Sequence, residues 1–213
     1  MARIVFDLDG TLIDSAPDIA AAANLTLAEV GAAPLSLAQV RSFVGAGAHI
    51  FVKRMAAARV LDDPTPLIQR FMHHYDGAVA LTQRYEGVQQ ALETLRRGGH
   101  RLGLCTNKPL GPTRNVLAHF GWEDMFETVL GGDSLGVRKP DPAPLHAAFA
   151  GLGEGPRLYL GDSEVDAETA ARAGVALVLH TEGYRKAPLA DLPHAAAFDD
   201  WADVPDIVAH FAV

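Results

Sequence analysis

With 213 residues, 49% of them hydrophobic, the chain is long enough to bury a full core and a small second domain. Its formal net charge of −8 argues against nucleic acid or an anionic membrane as a main partner, and no apolar run approaches the ~20 residues needed to cross a bilayer. The single cysteine, Cys105, excludes an intrachain disulfide and suits a reducing compartment, and the N-terminus carries no signal-peptide pattern, so the expected location is the cytoplasm.

In chain order, Ile4, Val5 and Phe6 form an unbroken β-favouring run that predicts a strand buried on both faces. It ends in D-L-D-G-T. On a strand, Asp7 and Asp9 emerge on one side while Leu8 points back into protein. Gly10 frees the backbone for a tight turn, and Thr11 brings a hydroxyl to it. Two carboxylates about 4 Å apart repel by roughly 4 kcal/mol at an effective dielectric of 20, so either one holds a proton or a cation bridges them. The plain alternative is a surface D-x-D turn ahead of a helix.

Ser15 is placed as an N-cap, with Pro17 in the first turn and Gly31 just past the end of the helix. Helical patterns follow at Leu35 to Val44, Ala48 to Leu61 and Pro66 to Leu81. Gly45-Ala46-Gly47 is not a dinucleotide fingerprint, because no strand precedes it and Ile50 stands where a third glycine is needed. It reads as a turn between helices, or as bare backbone approaching a ligand.

From Tyr85 the pattern alternates strand and helix, which predicts a parallel sheet of βαβ units. Helices are expected at Gly87 to Arg97, Leu110 to Phe120, from an opening segment Arg138-Lys139-Pro140-Asp141-Pro142 through about Ala150, after Asp162 through Ala173, and Val204 to Phe211. Strands are expected at Arg101 to Cys105, Phe126 to Leu130, Leu158 to Leu160 and Val175 to Leu179. The fold class is thus α/β, with a helical insert at 15–83 and a sheet domain made of 1–14 and 84–213. An insert after the first strand sits above that strand's carboxyl end as a lid.

Parallel strands bring their carboxyl ends to one edge, so Asp7/Asp9, Thr106/Asn107 and Asp162/Asp166 should meet there, with Lys139 in reach. An oxygen-only donor set of this kind suits Mg²⁺ shared with a substrate phosphate. Each residue also has a bland reading. Thr106 or Asn107 could cap the next helix, Lys139 could be a solvated lysine, and acids at a helix start favour its dipole. His73 and His74, adjacent on a helix, do not share a face and read as surface. All four motifs falling at one edge by accident is the less economical account.

D-L-D-G-T, the T-N pair after an apolar strand, K-P-D-P and G-D-S-x-x-D resemble, in order, the four motifs of the haloacid dehalogenase superfamily. The resemblance implies a Rossmann-like, mostly parallel core with a small all-helical cap inserted after the first strand. It implies Asp7 as nucleophile and Mg²⁺ ligand, and Asp9 as acid/base that binds the metal through its backbone carbonyl. It further implies Thr106 and Asn107 on the phosphoryl group, Lys139 stabilising it, Asp162 as metal ligand, and Asp166 orienting Lys139 or water. A carboxylate at Asp9 points to a phosphatase or phosphomutase, and Ile19, where the β-phosphoglucomutases carry histidine, weakens the mutase reading.

D-S-A-P-D-I-A-A-A and V-G-A-G-A-H-I-F-V-K-R are similar to the phosphoglycolate phosphatases. That likeness implies a small phosphate ester as substrate, 2-phosphoglycolate before any other, with Arg41, Lys53 and Arg54 as candidates to face the glycolate carboxylate. Glu86 replaces the usual hinge proline. Related phosphatases of sugar phosphates, nucleotides or pyrophosphate are the nearest rivals. A phospho-aspartate receiver domain is disfavoured by the helical insert and by Asp9. The pattern selects neither monomer nor dimer.

Overall fold

A computed structural model describes residues 1–211 of the chain. After β1 (Arg3–Phe6) come β2 (Ile13–Asp14) and four helices, α1 (Ala16–Ala28), α2 (Leu37–Phe43), α3 (Ala48–Ala57) and α4 (Thr65–Tyr75). The chain then runs through β3 (Gln83–Arg84), α5 (Val88–Arg97), β4 (Arg101–Cys105), α6 (Leu110–Phe120), β5 (Thr128–Leu130) and α7 (Ala143–Ala150). It closes with β6 (Arg157–Gly161), α8 (Glu164–Ala173), β7 (Ala176–His180), β8 (Ala196–Phe198) and α9 (Val204–Phe211).

Six strands form one sheet in the order β5-β4-β1-β6-β7-β8, parallel at every pairing. β1 lies at its centre, with Ile4 opposite Leu102 on one side and Leu158 on the other. The chain order therefore reverses at β1, and the crevice beyond its carboxyl end is where such sheets bind ligands.

The period of two along β1 divides the core. Ile4 and Phe6 pack with Leu92, Val116, Trp201 and Val208 on one face. Val5 packs with Leu145, Phe149, Tyr159 and Ala170 on the other. Both faces are covered by helices, which is why β1 reads as a continuous apolar run.

Helices α1 to α4 have a separate core that includes Leu27, Val40, Phe51, Met55 and Phe71. One residue from far along the chain, Tyr184, joins it. The antiparallel pair β2 and β3 ties together the two strands of chain that enter and leave this helical unit. Among the described residues no helix is long and apolar enough to cross a membrane.

Several boundaries differ from the sequence reading. α3 stops at Ala57 because the backbone turns left-handed at Val60, where Leu61 N–H closes on the Ala56 carbonyl. α4 stops at Tyr75, ahead of Asp76-Gly77, rather than at Leu81. β2, β3 and β8 lacked a sequence signal, being two or three residues long. β1 ends at Phe6, so Asp9 lies in the following turn rather than on the strand, although Leu8 is fully buried.

Candidate active site

Asp7 follows β1, Thr106 follows β4 and Asp162 follows β6, and these three strands are neighbours. The Lys139 ammonium reaches the same place from the segment before α7, 3.0 Å from Asp7 Oδ1 and 2.7 Å from Asp166 Oδ1. It also donates to the Tyr159 hydroxyl at 2.8 Å, and that hydroxyl donates to Asp166 Oδ1 at 2.6 Å. One face of Asp166 is thereby committed to Lys139 and Tyr159. Its other oxygen accepts from the Asp162 and Ser163 amides and from the Ser163 hydroxyl at 3.2, 3.1 and 2.7 Å. Asp166 is the third residue of α8, so this is a capping box that also holds a lysine.

Asp162 is held by the Thr11 hydroxyl at 2.8 Å and the Tyr184 amide at 2.7 Å. Backbone comes very close here. A Cβ on Gly10, whose φ is +90°, would stand 2.4 Å from Asp162 Oδ2. Only glycine fits that turn.

Asp7, Asp162 and Asp166 each offer a carboxylate oxygen within 4.8 Å of the others, all three buried. The electrostatics follow from that crowding. Burial pushes the Asp7 carboxyl up to about 7, with Lys139 pulling against the rise and Asp166 adding to it. Burial, then Asp166 and Asp7, hold Asp162 well above the carboxylate range. Asp166 sits below its usual value despite burial, because Lys139 and the hydrogen bonds favour its charge.

A divalent cation fits this group. Asp7 Oδ1 has no hydrogen bond of good geometry among the described residues, and Asp162 is disfavoured as a bare anion. Asp162 takes a single neutral donor on each oxygen, whereas Asp166 is already paired to the Lys139 ammonium and has three donors on its other oxygen, which makes it a positioning residue. Oxygen donors and two available carboxylates match the preference of Mg²⁺.

Asp9 faces the other side of the crevice. The Ser15 hydroxyl donates to Asp9 Oδ1 at 2.5 Å, and the Lys108 ammonium lies 3.3 Å from the same oxygen. Ser15 occupies the N-cap of α1, as its position predicts, but its side chain makes no capping bond there because Asp9 claims it. Asn107 donates to the Gly45 carbonyl at 3.0 Å and to the Lys139 carbonyl at 2.9 Å. Its amide nitrogen thus joins the helical unit to the sheet domain rather than pointing into free space.

Beside these groups opens a small cleft. Asp7, Asp9, Thr106, Asn107 and Lys108 line its floor, and Ile19, Val44, Phe51, Phe71 and Tyr75 its roof. Gly45 and Gly47 border it too, so the glycine loop is both a turn between helices and a wall of the cleft.

Arg41, Lys53 and Arg54 do not line it. Arg41 pairs with Asp14 at 2.7 Å, Arg54 donates to the Phe43 carbonyl at 2.7 Å, and Lys53 is exposed. His74 pairs with Glu29.

Lys108, Tyr75, Ser15 and Tyr159 belong to the site without having been picked out for it. Tyr159 reads as core because it sits mid-strand. Lys108 directly follows the T-N pair and was legible by position.

A model of the haloacid dehalogenase-like hydrolases matches residues 4–180. A phosphoglycolate phosphatase of Cereibacter sphaeroides is 50% identical, over 99% of both chains. One from Rhodospirillum rubrum is 44% identical over 95% of this chain and 89% of its own. A crystal structure described as a predicted phosphoglycolate phosphatase from Haemophilus somnus superposes with a TM-score of 0.91 at 33% identity, covering 97% of each chain. The chain therefore belongs to the haloacid dehalogenase-like hydrolase family, among relatives named phosphoglycolate phosphatase.

Proposed function

We propose that this hydrolase cleaves 2-phosphoglycolate to glycolate and phosphate, using Mg²⁺ and a phospho-aspartate on Asp7. The observation that carries the reading is Asp7 at the floor of a small cleft, flanked by the Lys139 ammonium and by a cation-ready Asp162. Relatives of that name at 44–50% identity support the substrate. The helical unit at 15–83 acts as the cap over this floor, with Ile19, Val44, Phe51 and Phe71 lining the cleft from its side.

In the first step an Asp7 oxygen bonds to phosphorus and the bond from phosphorus to the leaving oxygen breaks. Asp9 gives that oxygen its proton. In the second, water attacks the phosphorus of the aspartyl phosphate, Asp9 takes the water's proton, and the Asp7 carboxylate leaves. Lys139 offsets charge on the transferring group, and the Thr106 hydroxyl holds one of its oxygens. Mg²⁺ bound by Asp7 and Asp162, with the Asp9 backbone carbonyl that the family resemblance implies, supplies further neutralisation of the phosphoryl dianion. Asp166 fixes Lys139, and Asn107 fixes the glycine loop against the floor.

A phosphate-release panel of small phosphoesters tests the substrate. 2-Phosphoglycolate is expected to have the highest kcat/KM, and chelation of divalent ions to stop release, with recovery on adding Mg²⁺. A sugar phosphate or nucleotide turned over better overturns the assignment.

A further inference from the structure

If the leaving group carries a carboxylate, something in the cleft must meet its charge. The three candidate cations of the helical unit, Arg41, Lys53 and Arg54, are tied elsewhere or exposed. One cation does line the cleft beside the catalytic floor, and it comes from the sheet domain. Lys108 is 4% exposed. Its ammonium donates to the Tyr75 hydroxyl, lies 4.5 Å from the centre of that ring, and sits 3.3 Å from Asp9 Oδ1. Burial opposes its charge, yet Asp9 and Tyr75 raise its pKa above the ordinary lysine value. The Tyr75 phenol, pushed up to about 12 by burial, keeps its proton.

An ammonium buried in the floor beneath an apolar roof is costly to desolvate. Its two neighbours leave one of its three N–H donors uncommitted. Across the cleft, α3 begins at Ala48 with Gly47 as a bare N-cap, and both residues line the same space. The first amides of a helix lack intrahelical partners and favour an anion.

We propose that Lys108, braced by the Tyr75 hydroxyl and ring, forms the subsite that reads the carboxylate of the leaving group, so that selection for a phosphorylated 2-hydroxy acid resides in a sheet-domain lysine rather than in the cap's arginines. This rests on the substrate reading above. Because Tyr75 belongs to α4, the same contact couples the charge reader to the seated position of the helical unit.

The test is the ratio of kcat/KM for 2-phosphoglycolate to that for ethyl phosphate, which has a methyl group in place of the carboxylate. In Lys108→Met the ratio is expected to fall at least 30-fold, with most of the loss in KM. Lys108→Arg is expected to recover part of it, since a positive charge returns. Tyr75→Phe, which keeps the ring and loses the hydroxyl, is expected to lower the ratio by roughly 3- to 10-fold. Lys108→Gln is read in the same way should the methionine variant fail to fold by circular dichroism.

A ratio within threefold of the parent in both Lys108→Met and Lys108→Gln overturns the proposal, as does a collapse of the ratio in Lys53→Met or Arg54→Met instead. A parent enzyme that shows no preference for 2-phosphoglycolate over ethyl phosphate overturns the substrate reading itself. The two failures are therefore distinguishable.

Discussion

The Lys139 ammonium is paired to Asp166 at 2.7 Å with both side chains out of contact with solvent. Lys139 stands 3.0 Å from Asp7 at the same time, so one cation is shared by a residue at the reacting centre and a residue at the start of α8. A buried pair broken on one side leaves an uncompensated charge, which costs about 3–5 kcal/mol. Asp166→Asn is expected to lower stability by about 3 kcal/mol at the lower end of that range, because Asp7 still faces the lysine. Lys139 then draws closer to Asp7 and away from the phosphoryl position, and kcat falls by roughly 100-fold. Thermal unfolding and phosphate release on one preparation check both parts. Loss of stability with full kcat would separate Asp166 from catalysis.

Asp7→Asn removes the proposed nucleophile while keeping its shape. Turnover of any phosphoester is expected to fall by three orders of magnitude or more, with KM for the residual reaction undefined. The fold is expected to persist, since Asp7 shares its surroundings with two other buried carboxylates. Near-parent melting with no burst of phosphate is the outcome sought, and retained turnover would rule out Asp7 as nucleophile.

Gly10 brings bare backbone hard against Asp162, as Gly183 also does. With φ at +90° and a Cβ position 2.4 Å from Asp162 Oδ2, Gly10→Ala must displace either the turn or the carboxylate. Backbone strain of this kind costs about 1–3 kcal/mol. The proposed Mg²⁺ ligand moves with it, so half-maximal activity is expected to need at least tenfold more Mg²⁺ than in the parent. An unchanged Mg²⁺ titration would show that Asp162 is not a ligand.

Ser15 stands where a helix cap belongs yet donates to Asp9 at 2.5 Å. Ser15→Ala is therefore expected to act on chemistry more than on α1. Removal of a capping hydroxyl costs typically about 1 kcal/mol, and here a smaller loss is expected because no capping bond is made. kcat is expected to fall about tenfold, as Asp9 loses the donor that orients it. A melting change alone, with kcat intact, would return Ser15 to a structural role.

The sheet was legible because its strands are apolar on both faces and its connections alternate regularly, as at Ile4 to Phe6 and Leu158 to Leu160. The strand ends were legible because Asp7, Thr106 and Asp162 each interrupt an apolar run with a polar residue. What escaped depends on contacts distant in sequence. β2 pairs with β3 across the whole helical unit, and two residues carry no periodicity of their own. Tyr159 looks like core from its neighbours, and only the packed sheet shows its hydroxyl reaching Lys139 and Asp166. Ser15 obeyed the positional rule for a cap, but its hydroxyl had a nearer partner in Asp9 than in the helix. The cap arginines drew attention because charge was easy to see and burial was not.

His180, at the carboxyl end of β7, is 1% exposed, and its Nδ1 lies 2.9 Å from the Gly10 carbonyl. An N–H there donates to that carbonyl, so the neutral ring braces the turn that carries Asp9. Tyr85, Phe198 and Trp201 pack around it with ring centres 4.7, 5.2 and 6.0 Å away. Burial lowers its pKa from the ordinary 6.5, against the Gly10 hydrogen bond and the acidic Glu182 and Asp199. Below pH 6.5 the unfolded chain binds a proton here that the folded chain refuses, so stability rises with pH in that window. The contribution is intact above pH 6.5 and is lost as pH falls toward the lowered folded value. His180→Gln is expected to be less stable than the parent at pH 8 by about 1–3 kcal/mol, through loss of packing and of the donor. Its stability is also expected to fall less steeply than the parent's between pH 6.5 and 5. Urea unfolding at three pH values across this range measures the difference in slope, and equal slopes would show that His180 is not the titrating group.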